Sequence, residues 1–261
     1  MKDQIALLGG VYSNYLALNA ALDDIDARCL EHVFCLGDLG AFGPHPDKTV
    51  DILRENRVVT LQGNYDNSIA FGLDDCQCGY TDPRDNYYAK LSYDYTLNNT
   101  SEHHRRWMRT LPQQLRIKLA GKDVLLCHGS PRQLNEFMWE STTPTHFLEK
   151  MCVDFAADVI ACTHTGLHWH RALPSGRHFI NAGVLGRPAN DGTTNVWYTV
   201  LSHDDDGVDV EFVPVYYDYA KLAAEMESEG LPHEFVRTIC EGWWTTCLEV
   251  LPAKERARGR F

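Results

Sequence analysis

An apolar run, Val33-Phe34-Cys35-Leu36, stops abruptly at Gly37-Asp38-Leu39-Gly40. A run this short, bounded by glycine, reads as a strand buried on both faces. The same pattern recurs along the chain. Ile5–Leu8 runs into Gly9-Gly10, and Val58–Leu61 runs into Gly63-Asn64-Tyr65-Asp66. Val124–Cys127 runs into His128-Gly129-Ser130-Pro131, and Val159–Cys162 into Thr163-His164-Thr165. Between the first three runs lie helical patterns. Asn14 is placed to cap a helix whose apolar positions run from Leu16 to Ile25, and a second helix is expected from about Asp47 to Glu55. Strand, helix, strand, helix, strand predicts an α/β domain with crossover connections. In such sheets ligands bind beyond the C-terminal ends of the strands, where Asp38 stands.

The second half changes character. Leu115–Leu119 and Val124–Cys127 flank Ala120-Gly121-Lys122-Asp123, a hairpin signal. Residues 168–173, 177–180, 196–202 and 208–213 alternate between turn residues and predict antiparallel strands, so two packed sheets are expected. Residues 79–112 read as a helical insertion over the sheet edge, a candidate lid. Residues 218–228 read as an amphipathic helix. Beyond about residue 231 the tail carries Trp243-Trp244, which either packs back onto the core or forms a partner surface.

Charge restricts the partners. The 261 residues carry a formal net charge of −12, which argues against a nucleic-acid binder, since that needs a basic face. A small phosphorylated molecule stays open, because a metal ion supplies positive charge locally. No apolar run approaches the ~18 residues of a membrane span, and no signal peptide is visible, so no membrane partner and a cytoplasmic location are expected. The nine cysteines are accordingly expected to be reduced, mostly buried thiols. Cys76-Gln77-Cys78 is open to three readings: a redox pair, a metal-binding pair, or a coincidence in a surface loop.

Asp38, Asn64, His128 and His164, each following a predicted strand, make an N/O donor set suited to a divalent transition metal: manganese, iron or zinc. The order of these residues resembles the calcineurin-like metallophosphoesterases, in particular their small bacterial and archaeal phosphodiesterase-like branch, over about residues 4–215. Leu36-Gly37-Asp38, Gly63-Asn64-Tyr65-Asp66, His128-Gly129-Ser130-Pro131 and Thr163-His164-Thr165-Gly166 match successive family motifs. Asn181-Ala182-Gly183-Val184-Leu185-Gly186 resembles the stretch that follows them. The resemblance implies a four-layer α/β/β/α sandwich of two mixed sheets, with two metals at the strand ends bridged by Asp38. It divides the chain into a domain over 1–215, with the 79–112 insertion, and a C-terminal extension over 216–261 that offers a route to homo-oligomers.

The departures from the family pattern fall on one metal. Gly10 stands where the family has a ligating Asp, Tyr12 where it has a ligating His, and Gly166 where it has the second His of its last motif. Tyr65 replaces a His that acts on the leaving group or the phosphate. The other metal's set is complete: Asp38, Asn64, His128 and His164. A tyrosine would have to bind as phenolate, which a pKa of ~10 opposes. One metal per chain is therefore expected. The catalytic residues implied are Asp38, Asn64 and His128. Tyr12, Tyr65 and Arg187 are the expected substrate contacts, with Asn190 a weaker one. His45, His168 and His170 either rebuild part of the second metal site or are edge or surface histidines. Hydrolysis of phosphate mono- or diesters is the leading function. The alternatives are a weakly active or inactive regulatory protein that binds metal or a phosphorylated ligand, and an interaction protein using the Trp243-Trp244 tail.

Overall fold

The computed structural model describes residues 3–204 and 207–258. In chain order the elements are β1 (Asp3–Leu8), α1 (Tyr15–Ala27), β2 (Val33–Cys35), α2 (Pro46–Glu55), β3 (Val59–Thr60), α3 (Asn64–Phe71), α4 (Pro83–Asn98) and α5 (Glu102–Met108). Then follow β4 (Gln114–Leu119), β5 (Lys122–Cys127), α6 (Thr145–Asp154), β6 (Val159–Cys162), β7 (His168–Ala172), β8 (His178–Ala182), β9 (Val196–Asp204) and β10 (Gly207–Val215). The chain closes with α7 (Tyr219–Ser228), α8 (His233–Glu241) and α9 (Ala253–Ala257). Asn14 caps α1 as its position implies, its side chain accepting the Ala17 amide at 3.0 Å.

Two five-stranded sheets form, in the orders β10-β9-β1-β2-β3 and β4-β5-β6-β8-β7. Both are mixed. β1, β2 and β3 run parallel while β9 is antiparallel to β1; β5, β6 and β8 run parallel while β4 and β7 are antiparallel at the edges. Alternation along the strands makes the layers. Ile5 and Leu7 face the other sheet, meeting Leu126, Ala161 and Ile180. Ala6 and Leu8 point the opposite way, onto α1 and α2. Leu125 and Cys127 likewise turn to α6. The result is the four-layer α/β/β/α sandwich. One detail departs from the expectation of antiparallel strands throughout the second half: β8 pairs parallel with β6 as well as antiparallel with β7. Residues 179–182 are buried on both sides, so their pattern does not distinguish the two.

The expected insertion supplies α4 and α5. The C-terminal extension lies on the same helical layer: Leu222, Met226, Phe235 and Ile239 join the cluster of α1 and α2, and Phe235 meets Phe42 with ring centroids 4.6 Å apart. Among the described residues no helix is long and apolar enough to cross a membrane.

The tail is tied to α4 by a carboxyl pair. Asp85, 1% exposed, accepts the Val250 amide through Oδ2 at 3.0 Å. Its other oxygen and Glu249 Oε2 are buried without a hydrogen-bond donor, and one proton held between the two side chains would satisfy both. Burial, with Glu249 alongside, pushes Asp85 up to about 7. The unfolded carboxyl titrates near ~3.9, so the native state holds an extra proton between about pH 4 and pH 7, and stability is lost as pH rises through that window. The unfolding free energy from urea titration should therefore fall between pH 5 and pH 8 by about 1–2 kcal/mol more in the wild type than in Asp85→Asn, allowing for solvent screening at the partly exposed Glu249 side chain.

Candidate metal centre

The C-terminal ends of the parallel strands bring the polar loops to one seam between the sheets. Asp38 follows β2, Asn64 opens α3 just after β3, His128 follows β5, and His164 follows β6. Two of these therefore hang from each sheet. Asp38 and His164 adopt left-handed backbone conformations, with φ of 60° and 71°, the kind of backbone cost that recurs at functional sites.

Each side chain is aimed by a specific bond. His128 Nδ1 lies 2.7 Å from the Leu36 carbonyl. A carbonyl only accepts, so Nδ1 carries the proton and Nε2 presents a lone pair. Asn64 Nδ2 donates to the Cys76 carbonyl at 2.8 Å, which turns Oδ1 inward. Asp38 Oδ1 accepts the Tyr65 amide at 3.1 Å, leaving Oδ2 free to face the histidines.

The inward atoms converge. His128 Nε2 stands 3.0 Å from Asn64 Oδ1, 3.3 Å from Asp38 Oδ2 and 3.3 Å from His164 Nδ1. One ligand atom each from Asp38, His128 and His164 falls within a 4.8 Å cluster, and all three residues are buried. Two imidazoles, an amide oxygen and a carboxylate oxygen thus meet at one point, where a proton on His128 Nε2 or a cation in its place can hold them together. The donor types and their convergence fit a metal ion, which would displace that proton.

Asp38 and His128 face each other as a buried ion pair. Burial opposes charge on Asp38, but the facing His128 and His164 outweigh it and hold the carboxyl below its ordinary value. Burial likewise opposes charge on His128, and Asp38 outweighs it and raises its pKa. Burial and the neighbouring His128 push His164 down to about 3. That imidazole is neutral at ordinary pH, the form that ligates metals.

Asp66 supports the cradle from behind. It is 1% exposed, and its carboxylate accepts the amides of Asp38 (2.7 Å), Leu39 (3.0 Å) and Gly63 (2.8 Å). The loops after β2 and β3 are thus fastened to one another through a single side chain.

A model of the calcineurin-like phosphoesterase superfamily domain matches residues 4–206. The chain belongs to that superfamily. It is similar to an uncharacterized protein of Methanocaldococcus jannaschii, 26% identical over 246 residues that cover 89% of this chain and 95% of the relative. The same fold is seen in the crystal structure of a hypothetical protein from Pyrococcus horikoshii, with a TM-score of 0.77 and 21% identity over 93% of this chain and 99% of that one. It is seen again in a metallophosphoesterase from Sphaerobacter thermophilus, with a TM-score of 0.70 and 24% identity over 93% of this chain and 100% of that one.

In this calcineurin-like chain the space at Gly10 and Gly166 is filled. A Cβ built on Gly10 would lie 2.6 Å from the Tyr12 ring. A Cβ built on Gly166 would lie 2.7 Å from the Trp244 ring and 3.2 Å from Arg187 Nη2. Burial pushes the phenols of Tyr12 and Tyr65 well above their ordinary pKa, so neither is available as a phenolate. Tyr65 instead donates its hydroxyl to the Ala89 carbonyl at 3.4 Å. Tyr12, Tyr65 and Arg187 all line a cavity of about 40 Å3 that also exposes Asp38 and His164.

The other sequence candidates lie elsewhere. His45 pairs with Glu225 at 3.2 Å. His168 packs against Trp197 and Phe212, and His170 bonds His178 at 2.9 Å. None of the three lines the cavity. Asn190 is turned to the tail, its Oδ1 accepting the Trp244 amide at 2.8 Å.

One further expectation is corrected and one open reading is decided. Cys76 and Cys78 form a disulfide and are buried, so this pair is neither a reduced thiol pair nor a surface coincidence. Gln77 has a positive φ of 52° and its amide is fixed by Asp75 at 2.8 Å; this turn brings the two sulfurs together. The disulfide loop also carries the carbonyl that orients Asn64. Trp244, in turn, packs back onto the core, the first of the two readings given for it: it is 3% exposed. Nothing local in the sequence connects it to the strand ends. The one usable signal is Gly166, a position emptied of side chain that something bulky had to fill.

Proposed function

We propose that the chain is a metal-dependent hydrolase of phosphate mono- or diesters that works with one divalent transition ion, manganese, iron or zinc. The observation that carries this reading is the buried convergence of Asn64 Oδ1, Asp38 Oδ2 and His164 Nδ1 on His128 Nε2, four donor atoms of the kinds that ligate a transition ion. Superfamily membership supports the reaction class. When bound, such an ion polarises a phosphoryl oxygen and lowers the pKa of a nearby water.

The chain's own residues prepare the rest. Asp38 contributes the negative charge of the cradle, and His128, fixed by Leu36, holds its lone pair in a set direction. Asn64 contributes a neutral oxygen, which keeps the total ligand charge low and the site attractive to anions. The aromatic wall around Tyr12 and Tyr65 excludes bulk water, which strengthens the electrostatic contacts inside. No side chain takes the place of a general acid at Tyr65, a role usually worth ~10²–10⁴-fold. Esters with good leaving groups are therefore the favoured substrates.

A second reading, binding without turnover, is favoured by the filling of the other metal's space at Gly10 and Gly166. One experiment separates the two. Protein loaded with manganese and desalted should retain about one ion per chain by elemental analysis and cleave p-nitrophenyl phosphate. One ion without cleavage would select the binding reading, and no retained ion would sink both.

A further inference from the structure

Arg187 is a buried cation without an anion. It is 7% exposed, its Nε has no hydrogen-bond partner, and it makes no ion pair among the described residues. An isolated charge in such a place is costly unless something arrives to meet it. The fold nevertheless goes to some length to hold it there. The guanidinium lies 3.6 Å from the centroid of the Trp244 ring, with Tyr12 and Phe42 further off. Trp244 is fixed by its Nε1 donating to the Pro188 carbonyl at 2.7 Å and its amide donating to Asn190 at 2.8 Å. Residues 188 and 190 thus hold the tail, and the tail holds residue 187. Gly166 leaves the room, since any side chain there would run into both the Trp244 ring and Arg187 Nη2.

The guanidinium opens onto the same cavity as Asp38 and His164. At about 40 Å3 that cavity takes two or three waters on the scale where one needs about 10–15 Å3. It takes one tetrahedral oxyanion in their place, and leaves no room for large groups on two sides of it. A planar fork of donors is matched to two oxygens of such an anion.

We propose that Arg187, positioned by Trp244 of the C-terminal tail, forms a small oxyanion pocket facing the metal cradle, which accepts one phosphate group, free or as the head of a small monoester. The choice of phosphate among oxyanions rests on the function proposed above; the anion site itself does not. The pocket takes the dianionic end of a substrate and excludes diesters with two bulky groups.

The test is calorimetric titration of inorganic phosphate into the full chain, first stripped with a chelator and then loaded with manganese. The wild type should bind phosphate in both states. Arg187→Gln should weaken binding about 10- to 100-fold, as expected for a charge-assisted contact, and Arg187→Lys should recover part of it. Trp244→Phe, which keeps a ring, should give an intermediate loss. All three variants should keep the metal content of the wild type, so a failed metal assay and a failed phosphate assay are distinguishable. Methyl phosphate should compete with phosphate, and bis(p-nitrophenyl) phosphate should not. Phosphate binding by a cooperatively melting Arg187→Gln or Arg187→Lys protein at wild-type affinity would overturn the proposal. So would absence of binding in both states of the wild type, or equal competition by the bis-ester.

Discussion

Asp38→Asn protein should purify with far less than one metal ion per chain and show almost no phosphoester cleavage. The substitution is close to isosteric. Oδ1 can still accept the Tyr65 amide, and the Asp66 bond to the residue 38 amide is untouched, so the loop keeps its shape. What disappears is the one negative charge in a ligand set otherwise made of two neutral imidazoles and an amide. Loss of a residue that merely supports a ligand costs ~10–100-fold in metal affinity, and removal of the charged ligand should exceed that. Metal content by elemental analysis and initial rates with p-nitrophenyl phosphate report the two effects separately. A melting curve shows that the fold is retained. Wild-type metal content in this variant would mean that the cluster is not the ion's site.

Asp66→Ala should act on stability instead. Three buried amides, those of Asp38, Leu39 and Gly63, lose their acceptor together. An orphaned buried donor costs about 1–3 kcal/mol, and partial entry of water lowers the sum, so a loss of about 3–5 kcal/mol is expected. In a domain of this size that corresponds to a melting temperature lower by roughly 10 °C. Asp66→Asn should fall between the two, because an amide can serve those donors through only one oxygen. Urea unfolding of the three proteins measures the order. A loss under 1 kcal/mol in Asp66→Ala would show that the loops after β2 and β3 hold themselves.

Much of the layered fold was legible because burial on both faces leaves a plain mark. Ile5–Leu8, Val124–Cys127 and Val159–Cys162 have no polar face to lose, and such strands belong inside sandwiches. The donor residues were legible for a related reason: each stands next to the place where such a run stops. Direction was less legible. Residues 178–182 satisfy a parallel neighbour and an antiparallel one with the same side chains, so composition does not fix β8. The contacts missed altogether were those closed by distant partners. Cys76 and Cys78 look like a loop coincidence until Gln77 turns the chain. Packing of Trp244 against the core was one reading of the tail, but its place against Arg187, in the space Gly166 leaves, has no local signal. The histidines at 45, 168 and 170 were plausible by type alone, and each is engaged in a local pair or ring contact instead.

The seam between the sheets has a bearing on how long the protein lasts. His128 of one sheet donates to Leu36 of the other at 2.7 Å, and the four donor side chains are drawn equally from the two halves of the sandwich. A cofactor gripped there acts as a rivet through both layers. Mass action then raises the free energy of unfolding as the free ion rises above its dissociation constant, about 2.7 kcal/mol at a hundredfold excess. The cell's supply of the ion would thus set the protein's resistance to heat and proteases together with its chemistry, and scarcity would be felt as turnover of the chain itself.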